Sequence, residues 1–259
     1  SKITFDGNAG ASAANVTYLN GPRYTDLQSQ REGAFSGERR ILNPNGYQNP
    51  YTHQLSLGYQ KQLNDKQLFY VDFVYNQSKN LFRLRDLNAP SAYTPDPNHV
   101  VVRTVGEADL TRPIPISNGA GVINGQLVSG VARNVVMSEG GGEAEYYGAS
   151  FNLQKDRGDD NYSYRLIYTL SQLRNNTEDI NFKAQNSNDF EAEWGPGIND
   201  RTHVINAIYQ YYPCKGLSLT AAALIQSGQP INRIPDATKY GTTDLNGDGR
   251  SFGDAYVGN

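Results

Sequence analysis

The chain carries one cysteine, one methionine, one tryptophan and three histidines in 259 residues. A single cysteine, Cys214, excludes an internal disulfide, so no disulfide framework sets this fold and the redox compartment stays open. His53, His99 and His203 lie far apart, without metal-ligand spacing. His203 has serines downstream, Ser218 and Ser227, but no nucleophile motif, so hydrolase chemistry has no support. Long apolar runs are absent as well. None approaches the ~18 residues that a membrane helix needs. Hydrophobic residues make up 37% and the mean hydropathy is −0.62. This excludes helical spans but not a membrane barrel, whose alternating faces average to a polar value. A net charge of −3 with scattered Lys and Arg offers no basic stripe, and no nucleic-acid partner is expected. The first ten residues, SKITFDGNAG, lack the apolar region of a signal peptide. The expectation is that a signal was removed or that the chain begins mid-protein.

What the chain does have is 18 tyrosines, 26 glycines and many Asn, Gln, Ser and Thr. Tyrosine favours strands, and its ring with a polar tip suits a membrane interface. Glycine, Asn and Asp favour turns. Every clear periodicity is of period two. In THQLSLGYQKQL (52–63), Leu55, Leu57 and Tyr59 alternate with Gln54, Ser56, Gly58 and Gln60. After Asn64-Asp65-Lys66, Phe69, Val71, Phe73 and Tyr75 alternate with Tyr70, Asp72, Val74 and Asn76. A second hairpin joins 143–155 to 162–174 through DRGDDN, with Tyr147, Phe151, Leu166 and Tyr168 on one face and Asn152 and Arg165 on the other. A third joins 202–212 to 217–228 through PCKG, with Ile205 and Leu219 opposed to Asn206 and Thr220.

The three turns are short, whereas the connections between hairpins, 86–142 and 175–201, are long and rich in Asn, Gly, Pro and charge. Strands of about 11–15 residues exceed the ~5–6 of soluble sheets, and compact domains rarely use loops of ~50 residues. Outer-membrane barrels combine short periplasmic turns with long outer loops. The expected fold is therefore all-β, an antiparallel transmembrane barrel, of which this chain holds six strands and a seventh near 1–6. The alternative is a soluble β-sandwich with decorated loops. In the barrel reading Asp72 and Arg165 face a wet lumen, the apolar face meets outer-membrane lipid, the three short turns lie on the periplasmic side and the two long loops lie outside.

Specific stretches carry a resemblance. NPYTHQLSLGYQKQL (49–63), NDRTHVINAIYQYYPCKGLSLTAAALIQSGQPIN (199–232) and DLNGDGR (244–250) resemble segments of TonB-dependent outer-membrane receptors of the Oar-like branch. The resemblance implies a 22-stranded barrel plugged by an N-terminal domain and energised through TonB for ligand import. Six or seven strands fall short of that, and no plug-like segment or TonB box is found, so the chain reads as an internal piece of such a barrel. Implied partners are the rest of the barrel, the plug and TonB. A second reading is a barrel serving as a structural or interaction platform in a secretion or surface-protein assembly, with lipoprotein or secretion partners. Neither reading assigns catalytic residues or a cofactor.

One pattern suggests a metal. Asp244, Asn246 and Asp248 occupy positions 1, 3 and 5 of an Asp-x-Asn-x-Asp-Gly loop, the spacing at which short oxygen side chains converge on calcium. The Arg250 carbonyl at position 7 and Asp254 would complete the set. Position 12 is Ala255 rather than Glu, and the competing reading is an Asx-rich surface turn. Gly140-Gly141-Gly142 lacks the helix and lysine of a phosphate cradle and reads as a hinge leading into a strand. Asp189, Glu191 and Glu193 before Trp194 read as a solvated outer loop.

Overall fold

The alternation of β-branched, aromatic and polar residues builds strands much longer than those of an ordinary sheet. A computed structural model describes residues 38–93, 102–231 and 235–249; the expected strand near 1–6 lies outside them. In chain order the strands are β1 (Glu38–Ile41), β2 (Tyr51–Asn64), β3 (Gln67–Asp86), β4 (Ile116–Ser117), β5 (Ala120–Ile123), β6 (Gln126–Val128), β7 (Asn134–Lys155), β8 (Tyr162–Asn175), β9 (Gly195–Pro196), β10 (His203–Cys214) and β11 (Leu217–Gln226). Two short helices, α1 (Val105–Leu110) and α2 (Ala237–Tyr240), lie in connections. The six long strands form one antiparallel meander in the order β11-β10-β8-β7-β3-β2, so each pairs with its neighbour in sequence. The turns are tight. Asn64 Oδ1 accepts from the Lys66 amide at 3.0 Å, and Gly216, at φ 84°, supplies the left-handed position between β10 and β11.

The register carries the alternation across the sheet, because directly paired residues share a face. Leu57, Phe73, Ala149 and Leu170 form one row, and Tyr59, Val71, Phe151, Tyr168, Ile205 and Ile225 the next. On the opposite face Gly58, Asp72, Ser150 and Thr169 form one row, and Gln60, Tyr70, Asn152, Ile167 and Asn206 another. The sheet thus has one apolar face over all six strands and an opposite face that is mostly polar on β2, β3 and β7 and mixed toward β10 and β11, where Val204, Ile208 and Leu224 lie. The apolar face is uncovered: Leu57 is 69% exposed, Tyr59 60%, Phe73 49% and Leu219 54%. A shallow apolar groove of about 610 Å³ runs along it between Leu55, Phe73, Tyr147 and Leu170. A soluble sheet would bury this face against a second layer.

The band has defined edges. On β7 the apolar-face residues Tyr147, Ala149, Phe151 and Leu153 are bracketed by Glu145 and Lys155, which pair with Gln77 and Gln67 of β3. Ten residues separate the brackets. At ~3.3 Å per residue and a tilt near 40°, that is about 25 Å of height, the thickness of the apolar band of an outer-membrane barrel. At the turn edge Lys155 pairs with Asp160 at 2.7 Å and lies 4.0 Å from the Tyr162 ring centroid.

Beyond the loop edge β3 and β7 continue past the ends of β2 and β8. β7 begins at Asn134 rather than at 143, which narrows the first long connection to 87–133. The three glycines lie inside this strand and are not a hinge. Added side chains would collide: a Cβ on Gly142 would meet Thr177 Cγ2 at 2.4 Å, and one on Gly141 would meet Arg83 Nη2 at 2.9 Å. Two register shifts occur here, with Asn80 in the left-handed region at φ 59°, so Gly140–Gly142 permit a bulged crossing under close contacts. β1 lies parallel to the first residues of β7. The buried apolar side chains gather at this end: of those below 9% exposure only Val71 sits within the band, while Leu84, Ala108, Ile116, Val136, Ala184, Phe190 and Leu245 belong to the extension and its loops. The hydrophobic core of the described residues therefore sits above the sheet band, under the loops.

Candidate functional site

The polar face of the sheet leads up to the loop assembly. On that face Arg165 Nη2 donates to the Tyr70 hydroxyl at 3.1 Å, and the Ser150 and Thr169 hydroxyls share a hydrogen bond of 2.9 Å. Above the band, β3 and β7 place Arg83, Arg85 and Glu139 together. Glu139 accepts from Arg85 Nε at 2.6 Å and Nη2 at 3.0 Å and from Arg83 Nε at 2.8 Å. Phe190, from the connection between β8 and β10, lies 3.6 Å below the Arg83 guanidinium, measured to the ring centroid. Two cations share one carboxylate, and Arg83 Nη1 is buried with no hydrogen-bond partner among the described residues. The cluster pins the second long connection onto the hairpin: Arg85 Nη1 donates to the Ser187 carbonyl at 2.7 Å, and the Asp86 amide donates to Ser187 Oγ at 3.2 Å.

The first connection, 87–133, folds into a cap. Asn118-Gly119 and Asn124-Gly125 all have positive φ, between 50° and 77°, and close the two-residue turns of a small sheet β4-β5-β6. Thr104 and Glu107 form a capping box at the start of α1; the amide and hydroxyl of Thr104 hold the Glu107 carboxyl below its ordinary value. The cap is organised around Arg112, whose side chain is fully buried. Its Nε donates to Asp109 Oδ1 at 2.7 Å, and its Nη1 to the Asn88 carbonyl at 2.7 Å and to Asn134 Oδ1 at 3.1 Å. Arg133 Nε donates to the other oxygen of Asp109 at 3.0 Å. A buried guanidinium needs such a shell, since a charge removed from water is tolerated only when paired and hydrogen-bonded.

The proposed calcium residues lie against this cap. Asp244 directs both carboxylate oxygens at its own loop, accepting from the Gly247 amide at 2.6 Å and the Gly249 amide at 2.9 Å. Asn246 Oδ1 accepts from the Asp248 amide at 2.8 Å. Asn246 and Asp248 are buried at 3% and 4% exposure. The side chains thus shape the loop as Asx turns. Among the described residues no group of three or more His, Cys, Asp or Glu is placed to hold a metal. Arg250 and Asp254 lie outside the described residues.

In the acidic stretch 189–193, Asp189 and Glu191 are exposed as expected of a solvated loop, and Glu193 is half-buried. Burial pushes the Glu193 carboxyl up from the ordinary 4.5, the Gln185 amide at 2.7 Å counteracts this, and neighbouring Asp189 adds to the rise. Glu38 shows the opposite balance. Burial raises it, but Lys183 and Arg40 more than offset that and hold it below 4.5.

Comparison with known proteins matches residues 2–232 to the family described as outer membrane beta barrel domain. Comparison with curated proteins gives no match. Among solved structures the chain is similar to the outer membrane transporter YddB from Escherichia coli, with a TM-score of 0.51 and 11% identity over 78% of this chain. The matched region is 24% of the YddB chain, so this chain spans about a quarter of that protein. At this identity the likeness concerns the fold.

Proposed function

Since the chain belongs to the outer membrane beta barrel domain family, and so to the outer membrane with its apolar face on lipid, we propose that it forms part of a TonB-dependent transporter barrel for ligand uptake. The carrying observation is the two-faced meander topped by folded loops. A continuous polar face rises on β3 and β7 into buried arginine clusters, and a structured cap stands where a ligand would enter. A passive spacer has no need of an interior wall of Asp72, Asn152, Arg165 and Asn206. The fold likeness to YddB, itself an outer membrane transporter, supports the same reading. Among the described residues both edge strands, β2 and β11, are long, exposed along their whole lengths and paired on one side only. Edges of this length call for further strands, as in a larger barrel of which this sheet is one sector.

The test is solute uptake by cells that contain or lack the intact protein, with and without inner-membrane energisation. Transport requires a solute taken up only when both protein and TonB are active. Stable co-purification of a large partner protein, with no solute taken up, would favour instead a platform in a secretion or surface-protein assembly.

A further inference from the structure

We propose that segment 235–249 is a strap that fastens the 87–133 cap across the loop-side mouth of the sheet, with Arg103 and Arg112 as its anchors. The segment follows β11, at one edge of the sheet, yet docks on the connection between β3 and β7. β10 and β8 lie between β11 and β7 in the sheet order. At ~4.8 Å per strand the segment therefore reaches back about 14 Å across the ends of those two strands. Arg103 and Arg112 hold it by hydrogen bonds to its carbonyls, with the Asp248 and Asp244 charges beside Arg103. The Arg103 amide donates to the Leu245 carbonyl at 3.0 Å, Arg103 Nε to the Asn246 carbonyl at 2.5 Å, and Arg112 Nη2 to the Asp248 carbonyl at 3.3 Å. Leu245 is buried at 3% exposure.

The division of labour makes the docking separable. Asp244 and Asn246 spend their side-chain oxygens on the strap's own amides, which gives it its shape. Its backbone carbonyls are turned to the arginines. On the cap side both anchors are held independently of the strap: Arg112 by Asp109, Asn88 and Asn134, and Arg103 by the carbonyl and hydroxyl of Ser91 at 2.9 and 3.2 Å. When the strap leaves, Arg112 keeps Asp109, Asn88 and Asn134, Arg103 keeps Ser91, and the freed donors turn to water. The seat is sterically selective. Gly247 has φ 72°, and a Cβ there would meet the carbonyl oxygens of Thr104 at 2.5 Å and Arg103 at 2.7 Å. A residue with a side chain has no room against this backbone. The cap and strap thus form a closure that opens by giving up the bonds from Arg103 and Arg112 to the strap carbonyls, the Asp248 and Asp244 charges beside Arg103, and the burial of Leu245, Asn246 and Asp248, while the strand ladders stay paired.

The experiment is hydrogen exchange on the full chain in detergent, with Gly247→Ala and, as a milder second variant, Leu245→Ala. The reporter is the Arg103 amide, whose acceptor is on the strap. The internal control is the Thr111 amide, whose acceptor, the Ala108 carbonyl, is within the cap. The expected result in Gly247→Ala is exchange at Arg103 faster by about tenfold or more, the sign of local opening, with Thr111 and the β3–β7 ladder unchanged. Leu245→Ala is expected to give a smaller rise at the same amide. Unchanged protection at Arg103 in both variants overturns the strap. So does equal loss at Arg103 and Thr111, which would make the segment an inseparable part of the cap.

Discussion

A single arginine placed at the middle of the apolar face measures what that face meets. Phe73 is 49% exposed and sits four residues from Gln77 and six from Gln67, the polar brackets of the band, with Leu57 and Ala149 as its paired neighbours. In a bilayer that position is close to the midplane, and the nearest bracket is ~13 Å away along the strand, too far for the guanidinium to snorkel fully to the interface. Phe73→Arg is expected to cost about 2–4 kcal/mol, roughly a 30- to 700-fold loss in the folding equilibrium. Two companions set the scale. Tyr147→Arg lies on the same face, two residues from Glu145, where arginine costs only about 0–1 kcal/mol. Ser150→Arg lies on the polar face directly opposite Asp72 and is expected to stay within about 1 kcal/mol, the range of a solvated ion pair. The assay is urea titration of the intact barrel in lipid vesicles, read by the gel mobility of folded against unfolded protein. Equal costs at Phe73 and Tyr147, or a larger cost at Ser150 than at Phe73, would refute both the depth and the face assignment.

Other outcomes follow from the same geometry. With Cys214 replaced, cysteines at Asp65 and Asn118 should differ toward an impermeant label on intact cells: Asn118 reacts and Asp65 does not, and the reverse would invert the topology. Because burial raises Glu193, its acid form is favoured in the fold, so it contributes stability that is present at low pH and lost as pH rises through its folded value, in a window above 4.5. Protection of the Gln185 amide, corrected for intrinsic rate, should therefore increase on mild acidification and lose this dependence in Glu193→Gln. Below 4.5 the contribution of Glu38, whose carboxyl is held low, is lost as it protonates, and the Lys183 contact weakens. If Asp244, Asn246 and Asp248 with Arg250 and Asp254 bind calcium, the ion stabilises the ordered loop by mass action; cleavage near 244–254 should slow with calcium and quicken with chelator, and identical cleavage in both would leave the Asx-turn reading.

The six long strands were legible because their signal is local and repeated. Period-two alternation in Leu55–Tyr59, Phe69–Tyr75 and Tyr162–Leu170 depends on no distant residue, and the turns Asp65-Lys66 and Lys215-Gly216 announce themselves by composition. Pairing between hairpins was less accessible, since β3–β7 register is set across the long connection. The upper halves of these two strands were hidden for a related reason. Gly140–Gly142 is a poor strand sequence in isolation, and only the approach of the Gln48 and Asn80 carbonyls to Gly140, of Arg83 to Gly141 and of Thr177 to Gly142 explains why three residues without side chains belong there.

The cap is the instructive case, since part of it could have been read. Asn118-Gly119 and Asn124-Gly125, with Ile116, Val122 and Leu127 around them, form the strongest short-range hairpin signal in the chain, and Thr104-x-x-Glu107 is a capping box. Both were masked by the loop-like composition of their surroundings. The arginine sites had no such signal. Arg83, Arg85, Arg103 and Arg112 are ordinary charges in sequence, and what distinguishes them is a set of partners far along the chain, such as Glu139, 54 positions from Arg85, and Asn246, 143 positions from Arg103. The Asx-rich loop shows the converse. Its local pattern offered an ion site and an Asx turn alike, and in the structure Asp244 and Asn246 direct side-chain oxygens to the loop's own amides, a choice of target that spacing alone does not contain. The loop meets the cap through carbonyls, those of Leu245 and Asn246 on Arg103 and that of Asp248 on Arg112, and through charge, since the carboxylates of Asp248 and Asp244 act on the Arg103 guanidinium; a buried cation is tolerated only with such a shell of hydrogen bonds and opposite charge.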